Sequence, residues 1–175
     1  LKVRVEGPYG HMGLRLAEYS TVVAVAGGIG ITPTGRLLAM ALDDQARRAQ
    51  LPTLRRLVVI WAVQDRSHLA WFEPLLARAR KHHGDAEGGE GGEGGAGAGG
   101  VDGFTVELHI FVTRGEVLTT PADAKSESPL PFTAGRPKLS EVLGGVEAGL
   151  GPDAAGRPGR GVAVLTCGPR LLQRE

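Results

Sequence analysis

Apolar residues fall in two distinct rhythms along this chain. Thr21–Ala26, Leu57–Val63 and Val162–Thr166 are short, nearly continuous apolar runs rich in β-branched residues, the pattern of strands covered on both faces. Thr105–Val112 instead alternates apolar and polar positions, which predicts a strand nearer a sheet edge. Leu1–Val5 alternates too and ends in the turn cluster Glu6-Gly7-Pro8-Tyr9-Gly10. Between strands the period lengthens. After Pro33, apolar residues at Leu38, Ala41 and Leu42 predict a helix reaching about Ala49. Leu69, Phe72, Leu76 and Ala79 share one helical face, but Pro74 is comfortable only in a first turn. That helix is therefore expected to begin near Glu73, behind a separate turn. Strands alternating with helices predict an α/β fold, an open parallel sheet with helices on both faces.

Two stretches break the pattern. Gly84–Gly100 holds ten glycines and no side chain larger than glutamate. It cannot bury enough apolar surface to offset the entropy of ordering, and is expected to be a flexible surface insertion. The second, from about 119 to 160, is rich in Pro, Gly and Ala and reads as an irregular insertion with one short helix near Leu139–Leu143.

Composition narrows the classes of function. Twenty basic residues face nineteen acidic ones, so no nucleic-acid partner is expected. The single cysteine, Cys167, excludes an intrachain disulfide and a zinc cluster built on thiolates. His11, His68, His82, His83 and His109 lack ligand spacing with carboxylates or thiols, so no metal site is expected. No apolar run approaches the roughly 20 residues that span a bilayer. The first residues lack a signal peptide's charged start and apolar stretch, and there is no initiator Met. The chain reads as a piece that begins inside a larger protein.

Two motifs carry chemistry. Ala26-Gly27-Gly28-Ile29-Gly30-Ile31-Thr32-Pro33 lies between a buried strand and a helix. Glycines there let the backbone turn sharply and approach a ligand without a Cβ in the way. Thr32 is placed to cap the helix and Pro33 to open it, which would turn free N–H groups and the positive end of the helix dipole toward a pyrophosphate. The same turn without a ligand is the alternative. The spacing differs from the Rossmann GxGxxG, and the lysine of a P-loop is absent. Cys167-Gly168-Pro169 ends the last strand, and in an open parallel sheet ligands sit outside the carboxyl ends of the strands. A small buried thiol before a turn is the plainer reading of Cys167. The two motifs on one rim strengthen the reading as a ligand site.

Together these motifs resemble the nucleotide-binding signatures of the ferredoxin–NADP reductase superfamily. Glu6–Gly10 resembles the loop that leaves a flavin-binding barrel. Trp61-Ala62-Val63-Gln64-Asp65-Arg66, with Leu69 and Trp71-Phe72, resembles the second-strand signature of ferric reductases and NADPH oxidases. Gly135-Arg136-Pro137 resembles a short motif of the same group. The resemblance implies that residues 1–10 are the last strand and exit loop of an FAD-binding barrel. Residues 11–175 would then be an NAD(P)-binding domain carrying the two insertions.

The resemblance also implies roles. Gly27, Gly28, Gly30, Ile31, Thr32 and Pro33 would hold the pyrophosphate and adjoining ribose of NADPH or NADH. Cys167, Gly168 and Pro169 would lie near the nicotinamide, with Cys167 positioning the ring and not acting as a nucleophile. Where this group usually has arginine to meet an adenosine 2′-phosphate, the chain has Gln64, leaving Arg66 or Arg136 to compensate. The implied whole protein is an oxidoreductase that passes electrons from NAD(P)H through FAD and haem to ferric iron or dioxygen. Its partners would be an FAD domain and a haem-containing membrane domain of the same chain, with the nucleotide domain facing the cytosol. Ending at Glu175, the chain lacks the further helix and terminal aromatic that cover the flavin in this group, so alone it is expected to bind nucleotide weakly and not turn over. A soluble flavin reductase of the cytochrome b5 reductase type and a non-catalytic nucleotide-binding fragment are the alternatives.

Overall fold

Five residues in a row, Val22 to Ala26, are each at most 2% exposed, which only a strand covered on both faces can achieve. They form the middle of β1 (Tyr19–Gly27), the strand around which a computed structural model builds the sheet. The structure describes residues 15–81, 103–114, 131–148 and 161–169. The expected strand Leu1–Val5, its exit loop, the 84–100 insertion, His11, His82, His83 and much of 119–160 lie outside those residues.

The described strands are β1, β2 (Arg56–Val63), β3 (Thr105–Val112), β4 (Thr133–Ala134) and β5 (Gly161–Cys167), in the order β4-β3-β2-β1-β5. Every pairing is parallel. The chain moves outward from β1 through β2 and β3 to β4, then returns to place β5 on the other side of β1. The strand order thus reverses between β1 and β5, the kind of position at which open parallel sheets place a ligand crevice.

Side chains sort by parity into two cores. Val22, Ala24 and Ala26 of β1 and Leu57, Val59, Trp61 and Val63 of β2 pack beneath Leu37, Leu38 and Ala41 of α1 (Ile31–Ala41). Leu76 and Ala79 of α3 (Glu73–Arg80) join that cluster. On the opposite face, Val23, Val25, Val58, Ile60 and Phe111 meet Leu139 and Val146 of α4 (Leu139–Ala148). Helices thus cover both faces, as the strand–helix alternation predicts.

Three expectations need correction. The helix after Pro33 is two helices. Asp43 takes an extended conformation and accepts from the Ala46 N–H at 2.8 Å, opening α2 (Asp44–Gln50) as a new N-cap. The new direction buries Arg47, whose guanidinium bonds the Ala41 carbonyl, pairs with Asp44 at 2.8 Å and lies 4.4 Å over the Phe104 ring. Second, β5 is not buried on both faces: Val164 is 51% exposed, because β5 ends the strand order among the described residues. Third, in the described part of the 119–160 stretch, residues 131–148, β4 stands beside the end of β3, and the short helix expected near Leu139–Leu143 runs on to Ala148 as the ten-residue α4.

The expectations for Pro74 and β3 match. Pro74 sits in the first turn of α3, behind a 3₁₀ turn from Arg66 to Phe72. The alternation of β3 reflects its position: β4 pairs only with Phe111 and Val112, leaving the rest of that side without a described neighbour. No helix among the described residues is long and apolar enough to cross a membrane.

Candidate functional site

Register brings the two motifs together. Ala26 lies opposite Cys167 across the β1–β5 pair, so Gly27–Gly30 and Gly168–Pro169 leave the sheet side by side at its carboxyl edge. The contact is closer than adjacency requires. A Cβ on Gly30 would overlap the carbonyl oxygen of Cys167, so only glycine lets these two backbones meet. Gly28 serves differently. It holds φ at +54°, a left-handed conformation, and nothing lies within 4 Å of where its Cβ would stand. The turn is therefore open where that Cβ would point.

Gly28–Gly30 form one 3₁₀ turn that runs directly into α1. Gly30 is the N-cap, no side chain caps the helix, and its first turn carries no acidic residue. Thr32 is not the cap. It lies inside the first turn, where its hydroxyl donates back to the Ile29 carbonyl at 3.0 Å, and Pro33 follows within the same turn. Because no side-chain cap neutralises it, the positive end of the α1 dipole stays available for an anion at the glycine turn. Ile29, at 71% exposed, stands beside that opening.

The second strand reaches into the same turn. Trp61 is 1% exposed, yet its indole N–H donates to the Gly28 carbonyl at 3.0 Å. Its ring meets Phe72 edge-on, with centroids 5.9 Å apart. Phe72 in turn lies against α1 at Gly35, where a Cβ would come within 2.9 Å of the Phe72 ring. Trp61 and Phe72 thus fix both the glycine turn and the helix behind it. Trp61 stands in the second-strand signature, but no role for it follows from the sequence pattern alone. The available signal is chemical: a tryptophan in a buried strand needs an acceptor, and the neighbouring turn supplies one.

Farther along the rim stand the polar candidates. Gln64 and Arg66 follow β2, and both are exposed. The Asp65 carboxylate between them accepts from the Ser67 N–H at 2.7 Å and caps the 3₁₀ turn. Bonds from the Ser67 side chain and backbone hold its pKa below the ordinary value. The Arg66 guanidinium lies 5.3 Å over the Phe132 ring. Gly135 bonds the Val112 carbonyl at 2.8 Å with φ +106°, which sets Arg136 just past β4, exposed, and Pro137 buried behind it. Arg114, to which the sequence pattern assigns no role, is the second residue beyond β3. Its N–H bonds the Gln64 carbonyl at 2.9 Å, and its guanidinium bonds the Gln64 side-chain oxygen at 3.4 Å.

The Cys167 thiol is free and partly exposed. Among the described residues no group of His, Cys, Asp and Glu could hold a metal ion. His68 stacks on the exposed Trp71, with centroids 4.4 Å apart, and His109 lies 3.9 Å from Glu107.

Residues 19–88, which carry the glycine turn, α1 and the whole Trp61–Phe72 buttress, match the model of the ferric reductase NAD binding domain. These residues belong to that domain family. The chain is also similar to named proteins. It is 37% identical over 75 residues to NADPH oxidase 4 of Homo sapiens, covering 43% of this chain and 12% of the relative. It is 36% identical over 73 residues to ferric reduction oxidase 8, mitochondrial, of Arabidopsis thaliana, covering 42% of this chain and 10% of that protein. A longer, weaker likeness is to a superoxide-generating NADPH oxidase heavy chain of Dictyostelium discoideum. It is 23% identical over 184 residues, spanning 99% of this chain and 31% of the relative. The chain thus spans less than a third of the length of each.

Proposed function

We propose that the chain binds NAD(P)H across the β1–β5 crevice and orients it for hydride transfer to a flavin on an adjoining domain. One observation carries this reading: an uncapped helix N-terminus behind the open turn at Gly28, abutting Cys167 through a contact only Gly30 permits. The glycine turn and the first turn of α1, from Gly27 to Pro33, would hold the pyrophosphate and nearby ribose. Gln64, Arg66 and Arg136 would stand at the adenosine end. Cys167, Gly168 and Pro169 would hold the nicotinamide side, with Cys167 acting by position. When bound, the dinucleotide would supply a hydride for a flavin on the adjoining domain. The chain's own residues bind and orient, and no side-chain acid or base is called for.

In the whole protein, residues 1–10 would close an FAD-binding barrel and residues 11–175 would form the nucleotide domain, with insertions at 84–100 and about 119–160. The complete enzyme would carry electrons from NAD(P)H through FAD and haem, in a membrane domain of the same chain, to ferric iron or dioxygen. The nucleotide domain would face the cytosol. The names of its relatives, NADPH oxidases and a ferric reduction oxidase, support that reading.

Two measurements test it. Calorimetric titration of the chain with NADPH and NADH should give saturable binding to at least one. Joined to its flavin domain and loaded with FAD, the protein should bleach at the flavin band under anaerobic NAD(P)H. Saturable binding without bleaching would leave a nucleotide-binding module and end the enzyme reading.

A further inference from the structure

The proposed site leaves open which dinucleotide it prefers, and the ends of β2 and β3 bear on that choice. In open parallel sheets with the pyrophosphate at the helix after the first strand, the adenosine ribose lies toward the end of the neighbouring second strand. A carboxylate there favours a free 2′-hydroxyl, and an arginine favours a 2′-phosphate. Here both groups occur. The Asp65 carboxylate is engaged by the Ser67 N–H at 2.7 Å as the cap of its own 3₁₀ turn. Its first commitment is thus to the backbone and not to a ribose.

Among the described residues, Arg66, Arg114 and Arg136 stand near this end of the sheet. Arg66 has its guanidinium over Phe132. Arg136 lies beyond β4, two strands from β2. Arg114 is tied to the end of β2 itself. Two hydrogen bonds to Gln64, one from its backbone and one from its side chain, hold it against that residue. The bond to the Gln64 side chain engages one of the five N–H donors of a guanidinium, which leaves donors for a bidentate contact with phosphate. Gln64 adds no negative charge, so a second anion arriving there meets a cation held by a neutral clamp.

Resting on the dinucleotide reading above, we infer that Arg114, clamped by Gln64, recognises the adenosine 2′-phosphate and makes this a site that prefers NADPH. The cation comes from the third strand and is braced by the second. Gln64 is then a positioning residue, acting through Arg114.

The test is the ratio of NADPH to NADH affinity for the 175-residue chain, Arg114→Gln and Arg114→Lys, measured by titration at low salt. Arg114→Gln should weaken NADPH about tenfold, as loss of one charge-assisted hydrogen bond to a phosphate implies. NADH affinity should stay within about twofold, which also reports that the variant is folded. Arg114→Lys should keep part of the preference, since it keeps the charge but not the bidentate fork. Raising ionic strength should narrow the wild-type ratio and leave that of Arg114→Gln nearly flat. An unchanged ratio in Arg114→Gln, or equal weakening of both dinucleotides, would overturn the assignment. If the wild-type chain binds neither dinucleotide, the dinucleotide reading itself fails and the role of Arg114 goes with it.

Discussion

Trp61 spends an almost fully buried aromatic ring on a single backbone carbonyl, that of Gly28. Trp61→Phe keeps most of the ring and its contact with Phe72 but removes the N–H donor. The Gly28 carbonyl is part-buried and keeps the Ile31 N–H, so losing the indole donor should cost about 0.5–1.5 kcal/mol. Urea unfolding should show a loss in that range. Nucleotide affinity should fall for NADPH and NADH alike, because the lost bond shapes the turn proposed for the pyrophosphate and not the end proposed for adenosine. Unchanged affinity with the stability loss intact would make Trp61 a packing residue only. At this scale the sequence discloses residue types well and contacts poorly. The Gly27–Pro33 motif stands out by spacing. The close approach of Gly30 to Cys167 does not, because it depends on a register between strands far apart in the chain. Thr32 illustrates the same limit: a threonine near a helix start suits a cap, and here a glycine already occupies that position.

Helix α4 shows why an element can hide from its own sequence. Gly144 and Gly145 stand inside it, and glycine is a poor helix former. The helix forms because Leu139 and Val146 are buried against Val23, Val25 and Ile60, and packing outweighs propensity. Both glycines face open space. Gly144→Ala and Gly145→Ala should each stabilise the fold by about 0.5–1 kcal/mol, seen as a rise in the urea midpoint without a change of slope. The strands were more legible, since buried parallel strands and their lengths follow directly from apolar runs. The exception, β5, looks the same in sequence as β1 but ends the strand order.

The same side of the sheet carries a pH-sensitive brace. Arg56 on β2 donates to both oxygens of Glu107 on β3, at 2.6 and 3.1 Å, and to the Val146 carbonyl of α4 at 3.2 Å. His109 and Arg56 hold the Glu107 carboxyl down at about 2, against the burial that pushes it up. A carboxyl with a lowered native pKa contributes stability above its unfolded value, and loses it as pH falls toward the native one. Stability should therefore decline between about pH 4.5 and 2, by at most about 3 kcal/mol from this group. Urea midpoints for wild type and Glu107→Gln should converge across that window. A constant gap down to pH 2 would show that the carboxylate charge is not what the brace uses.

For the whole molecule, ligand and fold share one free energy. Anything that binds the native chain and not the unfolded one stabilises it by mass action, about 2.7 kcal/mol at a hundredfold excess over Kd. Thermal unfolding of the chain with increasing NADPH should rise accordingly, and more steeply than with NADH. A midpoint indifferent to both would argue against a site in the described sheet.

The meeting of Gly30 with Cys167 also sets an order of events during synthesis. The glycine turn and its helix follow β1, the first of the described strands to leave a ribosome, whereas β5 is the last of them. Until β5 inserts beside β1, the crevice has one wall. A nascent chain can bury much of its β1–β3 core before that moment, but it cannot offer a two-sided cleft to a dinucleotide. With the site as proposed, competence to bind would come only once β5 has been made, so occupancy by a nucleotide would report that translation has passed that strand.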